Sequence, residues 1–267
     1  MSGGTDRLFD VEGRIIVVTG GLGQLGQQFA NTLLERGAQV ALLDSRVTEE
    51  GIAEDGALHL KADVTNRESL EAALKTIQRK WDVPDGLINN AALDSPPNAP
   101  AEETGPFETY PEESWDQVMK VNAKGVFLCC QVFGGAMAAA GSGSVVSICS
   151  TYGLVSPDQR IYEYRQESGP PFFKPVAYTA SKSSLLNLTR YLSTYWAGRG
   201  VRVNTLSFGG VFNHQDERFL LGYEAKVPLG RMARADEYNG AIIFLLSDAS
   251  SYMTGANLVI DGGWTAW

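Results

Sequence analysis

Short apolar segments alternate with longer segments of helical periodicity along almost the whole chain, and this alternation constrains the fold most. The first unit has a β-branched run at residues 14–19, a glycine-rich turn, a helical pattern at 25–36 and a second apolar run at 39–43. Short apolar runs predict buried strands, whereas longer segments with a 3.6-residue period predict helices. The repetition of such units predicts one α/β domain over residues 1–267, with a doubly wound parallel sheet flanked by helices.

The same pattern places the remaining elements and leaves two long segments between them. The segments at about 93–111 and 154–175 are rich in proline, glycine and aromatic residues. Each follows a strand whose carboxyl end should line the ligand crevice, so we expect both to form walls of a substrate site. Further strands are expected at 57–61, 86–90, 144–149, 201–206 and 256–260, and further helices at 66–81, 112–140, 176–199 and 235–247.

Charge and composition narrow the class of partner. The net charge of −9 argues against a general nucleic-acid or anionic-membrane surface. No continuous apolar run approaches the ~18 residues of a membrane span, and residues 1–10 lack the pattern of a secretory signal. Three cysteines and two histidines offer neither a disulfide framework nor metal-ligand spacing. We therefore expect a cytoplasmic protein that binds a small molecule, with no metal, nucleic-acid or membrane partner.

The glycine-rich turn at residues 19–26 predicts a dinucleotide site. Glycines between a strand and a helix allow backbone amides and the helix N-terminus to approach a pyrophosphate. Asp44, at the end of the second strand, can accept hydrogen bonds from ribose hydroxyls and would repel a 2′-phosphate. NAD is therefore expected rather than NADP, although Arg46 nearby keeps NADP open and Asp44 could instead cap a turn.

Tyr178 and Lys182 are four residues apart in a predicted helix, which places them on one face. A fixed cation near a phenol favours the phenolate and lowers the pKa of the tyrosine. The pair therefore predicts a proton donor or acceptor, and a simple surface contact is the alternative.

Several further motifs accompany this pair. Gly21, Gly23 and Gly26 satisfy the GxGxxG pattern. The others are Thr19-Gly20, Asp63-Val64, Asn89-Asn90-Ala91-Ala92, Asn122, Ser150-Thr151-Tyr152-Gly153 and Asp261-Gly262-Gly263. Together with Tyr178 and Lys182 they resemble the motifs of the short-chain dehydrogenase/reductase family over nearly the whole chain.

The resemblance implies a Rossmann-like fold and NAD-dependent interconversion of a secondary alcohol and a ketone. Tyr178 would then move the proton, Lys182 would lower the pKa of Tyr178 and hold the nicotinamide ribose, Ser150 would hydrogen-bond the substrate oxygen, and Asn122 would position a water. The chain departs from the family pattern at Gln24, Ala92, Phe208 and Asn213. The implied cofactor contacts are Gly20, Gly23, Gln24, Leu25, Gly26, Asp44, Asp63, Val64, Asn90, Ala91, Tyr178, Lys182, Gly209 and Val211.

The segment between Ser150 and Tyr178 is longer than is usual in the family, so it should carry the substrate specificity. It holds Arg160, Arg165 and Lys174 among tyrosines and prolines, a mixture suited to a polar or phosphorylated group. An oligomer contact is the alternative for this segment. The candidate substrate residues are Arg160, Tyr162, Arg165, Asn213 and His214.

Residues 156–163 and 209–216 look like segments of oxidoreductases from bacterial surface-sugar pathways, such as flagellin glycan and nonulosonic acid synthesis. This resemblance implies a sugar or nucleotide-sugar substrate. A 3-oxoacyl or steroid-type ketone reductase and a cofactor-binding regulator without turnover are the alternatives. The family likeness also implies a homo-oligomer, a tetramer or dimer, built on helices 112–140 and 176–199 and the last strand.

Overall fold

One sheet of eight strands organises the chain, in a computed structural model that describes residues 7–95, 100–167 and 169–267. The strands are β1 Ile15–Thr19, β2 Gln39–Asp44, β3 Gly51–Ile52, β4 Leu58–Lys61, β5 Gly86–Asn89, β6 Gly143–Ile148, β7 Val201–Phe208 and β8 Asn257–Ile260. They lie in the order β3-β4-β2-β1-β5-β6-β7-β8. All neighbours are parallel except the short β3, which the sequence pattern did not predict and which runs antiparallel to β4. The predicted fold class is confirmed.

Two layers of helices cover the sheet. The helices are α1 Gln24–Glu35, α2 Arg67–Lys80, α3 Glu112–Ala140, α4 Val176–Trp196, α5 Glu217–Glu224 and α6 Asn239–Leu246. On one face, α2, α3 and α4 contribute Leu70, Phe133 and Trp196 to a core cluster. On the other face, α1 and α6 contribute Phe29 and Ile242. Because strands such as β1 are buried along their whole length, they are continuous apolar runs in the sequence.

Helix α3 is interrupted by two π-helical turns, Lys120–Gly125 and Cys130–Gly134. By length and composition alone α3 is apolar enough to cross a membrane, a test that core helices of soluble proteins also pass. Val126, Phe133 and Met137 of this helix lie in the core cluster beside the sheet. Packing within the protein therefore accounts for its apolar character.

The two long segments lie together beyond the carboxyl ends of the strands. The first contains short 3₁₀ helices at Ala101–Thr104 and Phe107–Thr109, and its residues 96–99 are outside the described residues. The second contains a 3₁₀ helix at Gln159–Glu167, and its residue 168 is also outside them. A backbone hydrogen bond of 2.7 Å from Phe173 N to Thr104 O joins the two segments.

Candidate active site

A cavity of about 560 Å³ opens beyond the carboxyl ends of β6 and β7. Ser150 reaches it from the end of β6, Tyr178 from α4, and residues 208–211 from the end of β7. The two long segments and α5 supply most of the rest of its wall, with further contributions from Gln215, Asp216 and Met232. Ligands of doubly wound sheets bind at this edge, because the strand ends and the loops that follow them converge there.

A tight turn fixes Ser150. The residue caps the 3₁₀ helix Thr151–Gly153, and its hydroxyl accepts a hydrogen bond of 3.1 Å from Tyr152 N. The side chain is buried but still lines the cavity together with Tyr178. The turn therefore holds one hydroxyl in a fixed place beside the phenol.

Tyr178 and Lys182 share one face of α4, as their spacing predicts, but the expected electrostatic effect is not present. Lys182 is 4% exposed, its Nζ donates to Ile148 O at 2.8 Å, and it lies 5.8 Å from the centre of the Tyr178 ring. Burial raises the pKa of Tyr178 and the Asp94 carboxylate adds to that rise, while a hydrogen bond with Ser150 opposes it. Burial also lowers the pKa of Lys182 to about 8. The sequence-based expectation of a lowered tyrosine pKa is wrong for this structure, because both groups lose their hydration.

Asn122 lies in the first π turn of α3 and connects three elements. Its Oδ1 accepts a hydrogen bond from Leu93 N at 2.7 Å, and its Nδ2 donates to Leu93 O at 2.8 Å and to Ser181 Oγ at 3.0 Å. π turns often occur at functional sites, because the extra residue redirects side chains. Here the redirected amide fixes the start of the first long segment against α4.

The glycine turn forms a close cradle at the N-terminus of α1. Gly20 has a φ of +63°, and a Cβ there would lie 2.8 Å from Ala91 Cα. A Cβ at Gly26 would lie 2.4 Å from Gly20 O, so neither position accepts a side chain. Gly23 caps α1 without a side-chain hydrogen bond, which leaves the amides of the first turn available to an anion. These residues fit the pyrophosphate of a dinucleotide.

Gln24, one of the departures from the family pattern, bridges this cradle to the segment after β7. Its Nε2 donates to Phe212 O at 3.2 Å. The residue begins α1, beside Leu25, which packs against the second core cluster. The glutamine therefore connects the two sides of the predicted cofactor site.

Asp44 ends β2, and its carboxylate already accepts hydrogen bonds from four donors among the described residues, three of which belong to Arg46. Arg46 Nε and Nη2 each lie 3.0 Å from one carboxylate oxygen, and Leu22 N donates at 3.1 Å. Burial alone would raise the pKa of Asp44, but the hydrogen bonds from Arg46 and Leu22 bring it below its ordinary value. Asp44 is thus a buried carboxylate, 6% exposed, that ribose hydroxyls would share with Arg46.

Three other predicted cofactor residues, Asn90, Asp63 and Val64, lie in the connections that follow β4 and β5. Asn90 Nδ2 donates to Thr19 O and Gly20 O, at 3.0 and 3.1 Å. Asp63 Oδ1 accepts from Thr65 N at 2.8 Å, and Val64 packs where a side chain at Gly125 would clash. Asn90 and Asp63 thus each hold a turn, and Val64 packs against α3.

The last residue of β7 is a second departure from the family pattern. Phe208 stacks on Tyr238 with ring centres 4.3 Å apart, a contact that proline could not make. Gly209 N donates to Ile260 O, and Gly209 O accepts from Tyr238 Oη at 3.2 Å. Val211 pairs with Ala233 and, like Gly209, lines the cavity.

The structure brings only two of the five predicted substrate residues to the cavity. Tyr162 and Arg165 line it, with the Arg165 guanidinium 4.1 Å from the centre of the Phe172 ring. Arg160 does not line the cavity, and its guanidinium forms two hydrogen bonds, of 2.9 and 2.7 Å, with the Asp158 carboxylate.

Asn213 and His214 are exposed and do not line the cavity. The backbone N of Asn213 donates to Gln215 Oε1 at 2.7 Å. This hydrogen bond helps to hold the loop, in which His214 has a φ of 54°. Gln215, rather than either predicted residue, lines the cavity.

Sequence reasoning missed Asp94 and the whole of α5, which carries Phe219 and Tyr223 into the cavity wall. A signal for α5 was present, because Asp216 is a favourable N-cap and accepts hydrogen bonds from Arg218 N and Phe219 N. No local pattern marks Asp94, whose importance depends on the position of Lys174 in the other long segment.

Comparisons with known proteins agree with this geometry. A family model described as enoyl-(acyl carrier protein) reductase matches residues 23–265. An NAD-dependent glycerol dehydrogenase of Listeria innocua is 31% identical, with 98% of each chain covered. A D-threitol dehydrogenase of Mycolicibacterium smegmatis is 32% identical, with 96% of this chain and 95% of the relative covered. The crystal structure of a short chain dehydrogenase from Leptospira borgpetersenii with bound NAD⁺ superposes with a TM-score of 0.83 at 32% identity, covering 96% of this chain and 94% of the other.

Proposed function

Because the chain belongs to the short-chain dehydrogenase/reductase family, we propose that it is an NAD-dependent dehydrogenase that interconverts a secondary hydroxyl of a polyol and the corresponding ketone. One observation carries this proposal: the hydroxyls of Ser150 and Tyr178 meet at one cavity beyond the carboxyl ends of β6 and β7. The names of the glycerol and threitol dehydrogenases support the substrate class. One domain then holds both the cofactor and the substrate.

When bound, NAD supplies the hydride acceptor. The protein binds the cofactor, orients the substrate and moves one proton. We assign to Tyr178 the transfer of the hydroxyl proton and to Ser150 a hydrogen bond to the substrate oxygen. Because burial raises the pKa of Tyr178, the phenol holds its proton at neutral pH, the form needed to protonate a ketone. Oxidation needs the phenolate, so its rate should increase with pH.

The proposed cofactor site runs from the amides of the first turn of α1 to the Asp44 carboxylate. The free helix N-terminus fits a pyrophosphate, and the buried carboxylate fits ribose hydroxyls. A 2′-phosphate would meet the negative charge of Asp44, although Arg46 lies against it. This arrangement supports NAD over NADP.

The cavity wall supports a small polar substrate. It combines charged and amide groups, among them Asp94, Lys174 and Gln215, with the rings of Tyr162 and Phe219. A 3-oxoacyl or steroid-type substrate needs a long apolar groove, and the charged and amide groups among the described lining residues weigh against it. The narrower hypothesis of a nucleotide sugar in a bacterial surface-sugar pathway stays a prediction, which the following assay includes.

The first test is reduction of NAD and of NADP by the purified protein, with polyols, nucleotide sugars and 3-hydroxyacyl esters as substrates. We expect turnover with one or more polyols and with NAD in preference to NADP. Tyr178→Phe should leave the affinity for NAD almost unchanged while kcat decreases by roughly 10²-fold or more, since the proton-transfer group is lost. Turnover of acyl esters alone, or an unchanged kcat in Tyr178→Phe, contradicts the proposal.

We also propose that the protein is a cytoplasmic homo-oligomer. Exposed rings on two neighbouring helices support the association: Trp115 and Phe127 on α3, and Tyr191 and Tyr195 on α4. The two tyrosine rings stack at 6.0 Å. Burial of such rings against a second copy would remove apolar surface from water.

A further inference from the structure

An ion pair between the two long segments lies beside the phenol of Tyr178. Lys174 Nζ is 2.5 Å from Asp94 Oδ1 and 2.6 Å from Asp94 Oδ2. The same ammonium is 5.0 Å from the centre of the Tyr178 ring, closer than the 5.8 Å of Lys182. The lysine side chain is 14% exposed and the aspartate side chain 60%, and both residues line the cavity. A carboxylate and an ammonium are thus placed together next to the proposed proton donor.

Charges of opposite sign balance at the cavity wall. The described lining carries Asp94 and Asp216 as carboxylates and Lys174 and Arg165 as cations. Lys174 is neutralised by Asp94, and Arg165 stacks on Phe172. The neighbouring Arg160 and Arg218 are paired with Asp158 and Glu167. An anionic substrate would therefore meet two carboxylates, an ammonium already paired with one of them, and a guanidinium stacked on Phe172.

We infer that the Asp94–Lys174 pair determines substrate specificity: it binds a second hydroxyl of the substrate, close to the reacting carbon, and discriminates against analogues that carry a carboxylate or phosphate there. This inference rests on the proposed function, which it refines from polyols in general to uncharged polyols.

The hydrogen-bonding chemistry of the Asp94 carboxylate, the Lys174 ammonium and the substrate group explains why a hydroxyl is preferred to an anion. A hydroxyl both donates and accepts, so it can donate to Asp94 and accept from Lys174 without leaving either charge unpaired. An anion can only accept, so it would have to displace Asp94 from Lys174 and leave the carboxylate without its cation. Discrimination by the repulsion of a competing ligand is a common route to specificity.

The backbone around the pair does not depend on it. Lys174 N donates to Gln159 Oε1 at 2.9 Å, and Phe173 N donates to Thr104 O at 2.7 Å. The first of these bonds holds Lys174 within its own segment, and the second joins the two segments, so neither depends on the side-chain pair. Variants of the exposed Asp94 carboxylate should therefore fold, which makes the pair accessible to mutation.

The test compares uncharged polyols with acids of the same carbon skeleton. Glycerol, D-threitol and galactitol are paired with glycerate, threonate and galactonate. In the wild-type enzyme with NAD, we expect kcat/KM for the best polyol to exceed that for its acid at least 10-fold. Asp94→Asn removes the competing charge, so the polyol-to-acid ratio should decrease at least 10-fold. Lys174→Met should reduce polyol turnover without admitting the acid.

A binding measurement and a matched variant complete the design. Affinity of each acid for the enzyme–NADH complex, followed by NADH fluorescence, should increase in Asp94→Asn. Glu163→Gln makes the same change of charge at an exposed position outside the cavity and should leave the ratio and the affinities within 2-fold of wild type.

Two results overturn the inference, and a third overturns the proposed function. The pair is only a structural connection between the segments if Asp94→Asn changes neither the ratio nor the affinity for the acids. Equal wild-type rates with polyols and acids also refute it. If no polyol is oxidised, the proposed function fails, and the fluorescence titration still shows whether Asp94 excludes acids.

Discussion

Lys182 is the residue whose environment has the clearest consequence for stability. Its ammonium is buried with one carbonyl partner, Ile148 O, and burial lowers its pKa to about 8 from an ordinary 10.5. Between these two values the unfolded chain binds one more proton than the folded chain. The contribution of Lys182 to the free energy of unfolding therefore increases with pH in this window, whereas the buried thiols of Cys129 and Cys130, whose pKa values burial raises, contribute in the opposite direction.

We expect this effect as a difference between the cofactor-free wild type and Lys182→Met in urea unfolding between pH 8 and 9.5, since the two proteins share the thiol contributions. Lys182 should contribute a gain on the order of 1 to 2 kcal/mol over this interval, since one unit of pKa shift corresponds to about 1.4 kcal/mol. Lys182→Met should lack this gain, and the loss of the hydrogen bond to Ile148 should add only a constant offset. Parallel curves for the two proteins would contradict a lowered lysine pKa. The raised pKa of Tyr178 acts in the opposite direction only above about pH 10.

The sequence predicted which residues meet at the site better than it predicted what they do to one another. The four-residue spacing placed Tyr178 and Lys182 correctly on one face, since that depends only on helix geometry. The sign of the shift in the tyrosine pKa depends on burial and on Asp94, which lies far away in sequence. Arg160 was misplaced for a similar reason, because a carboxylate two residues away, Asp158, binds its guanidinium.

At the scale of elements, α3 contains two adjacent glycines with opposite surroundings. A Cβ at Gly134 would lie 2.6 Å from the Trp196 ring, whereas nothing lies within 4 Å of a Cβ at Gly135. Gly134 thus allows α3 to approach α4 closely. Gly135 contributes no such contact and only adds flexibility to the unfolded chain.

Alanine substitutions should separate these roles. Gly135→Ala should raise the free energy of unfolding by about 0.5–1 kcal/mol, since alanine favours the helix. Gly134→Ala should lower it by about 1–3 kcal/mol, because the added methyl overpacks the contact with Trp196. Urea denaturation of both variants measures the difference, and each serves as the control for the other. Equal effects would refute the close approach of the two helices.

The elements themselves were largely predictable, and the exceptions have physical causes. Helix α3 begins and ends at the predicted residues, since hydrophobic periodicity is strong over its whole length. Helix α5 was missed because eight residues are too few to show a clear helical period in the sequence. Its N-cap, Asp216, is the signal that indicates it. The two π turns lie inside one continuous apolar-periodic segment, and nothing in that pattern indicated them.

At the scale of the whole molecule, the exposed rings of α3 and α4 predict the state of assembly. Light scattering coupled to size exclusion should show a dimer or tetramer at micromolar concentration. Tyr191→Ser combined with Tyr195→Ser should shift the protein toward smaller species, because it removes apolar surface from the proposed contact. Phe107→Ser removes an exposed ring from the first long segment and is the control. A wild-type monomer would contradict the proposed assembly.

The walls of the cavity come from residues as far apart as Asp94 and Met232, and this has a consequence for synthesis. A nascent chain on the ribosome can pair β1 with β2 early, but the cavity stays open until the segments after β7 have emerged. Contacts between distant residues also make folding slow. Catalytic competence should therefore appear late, in one step, after most of the secondary structure has formed.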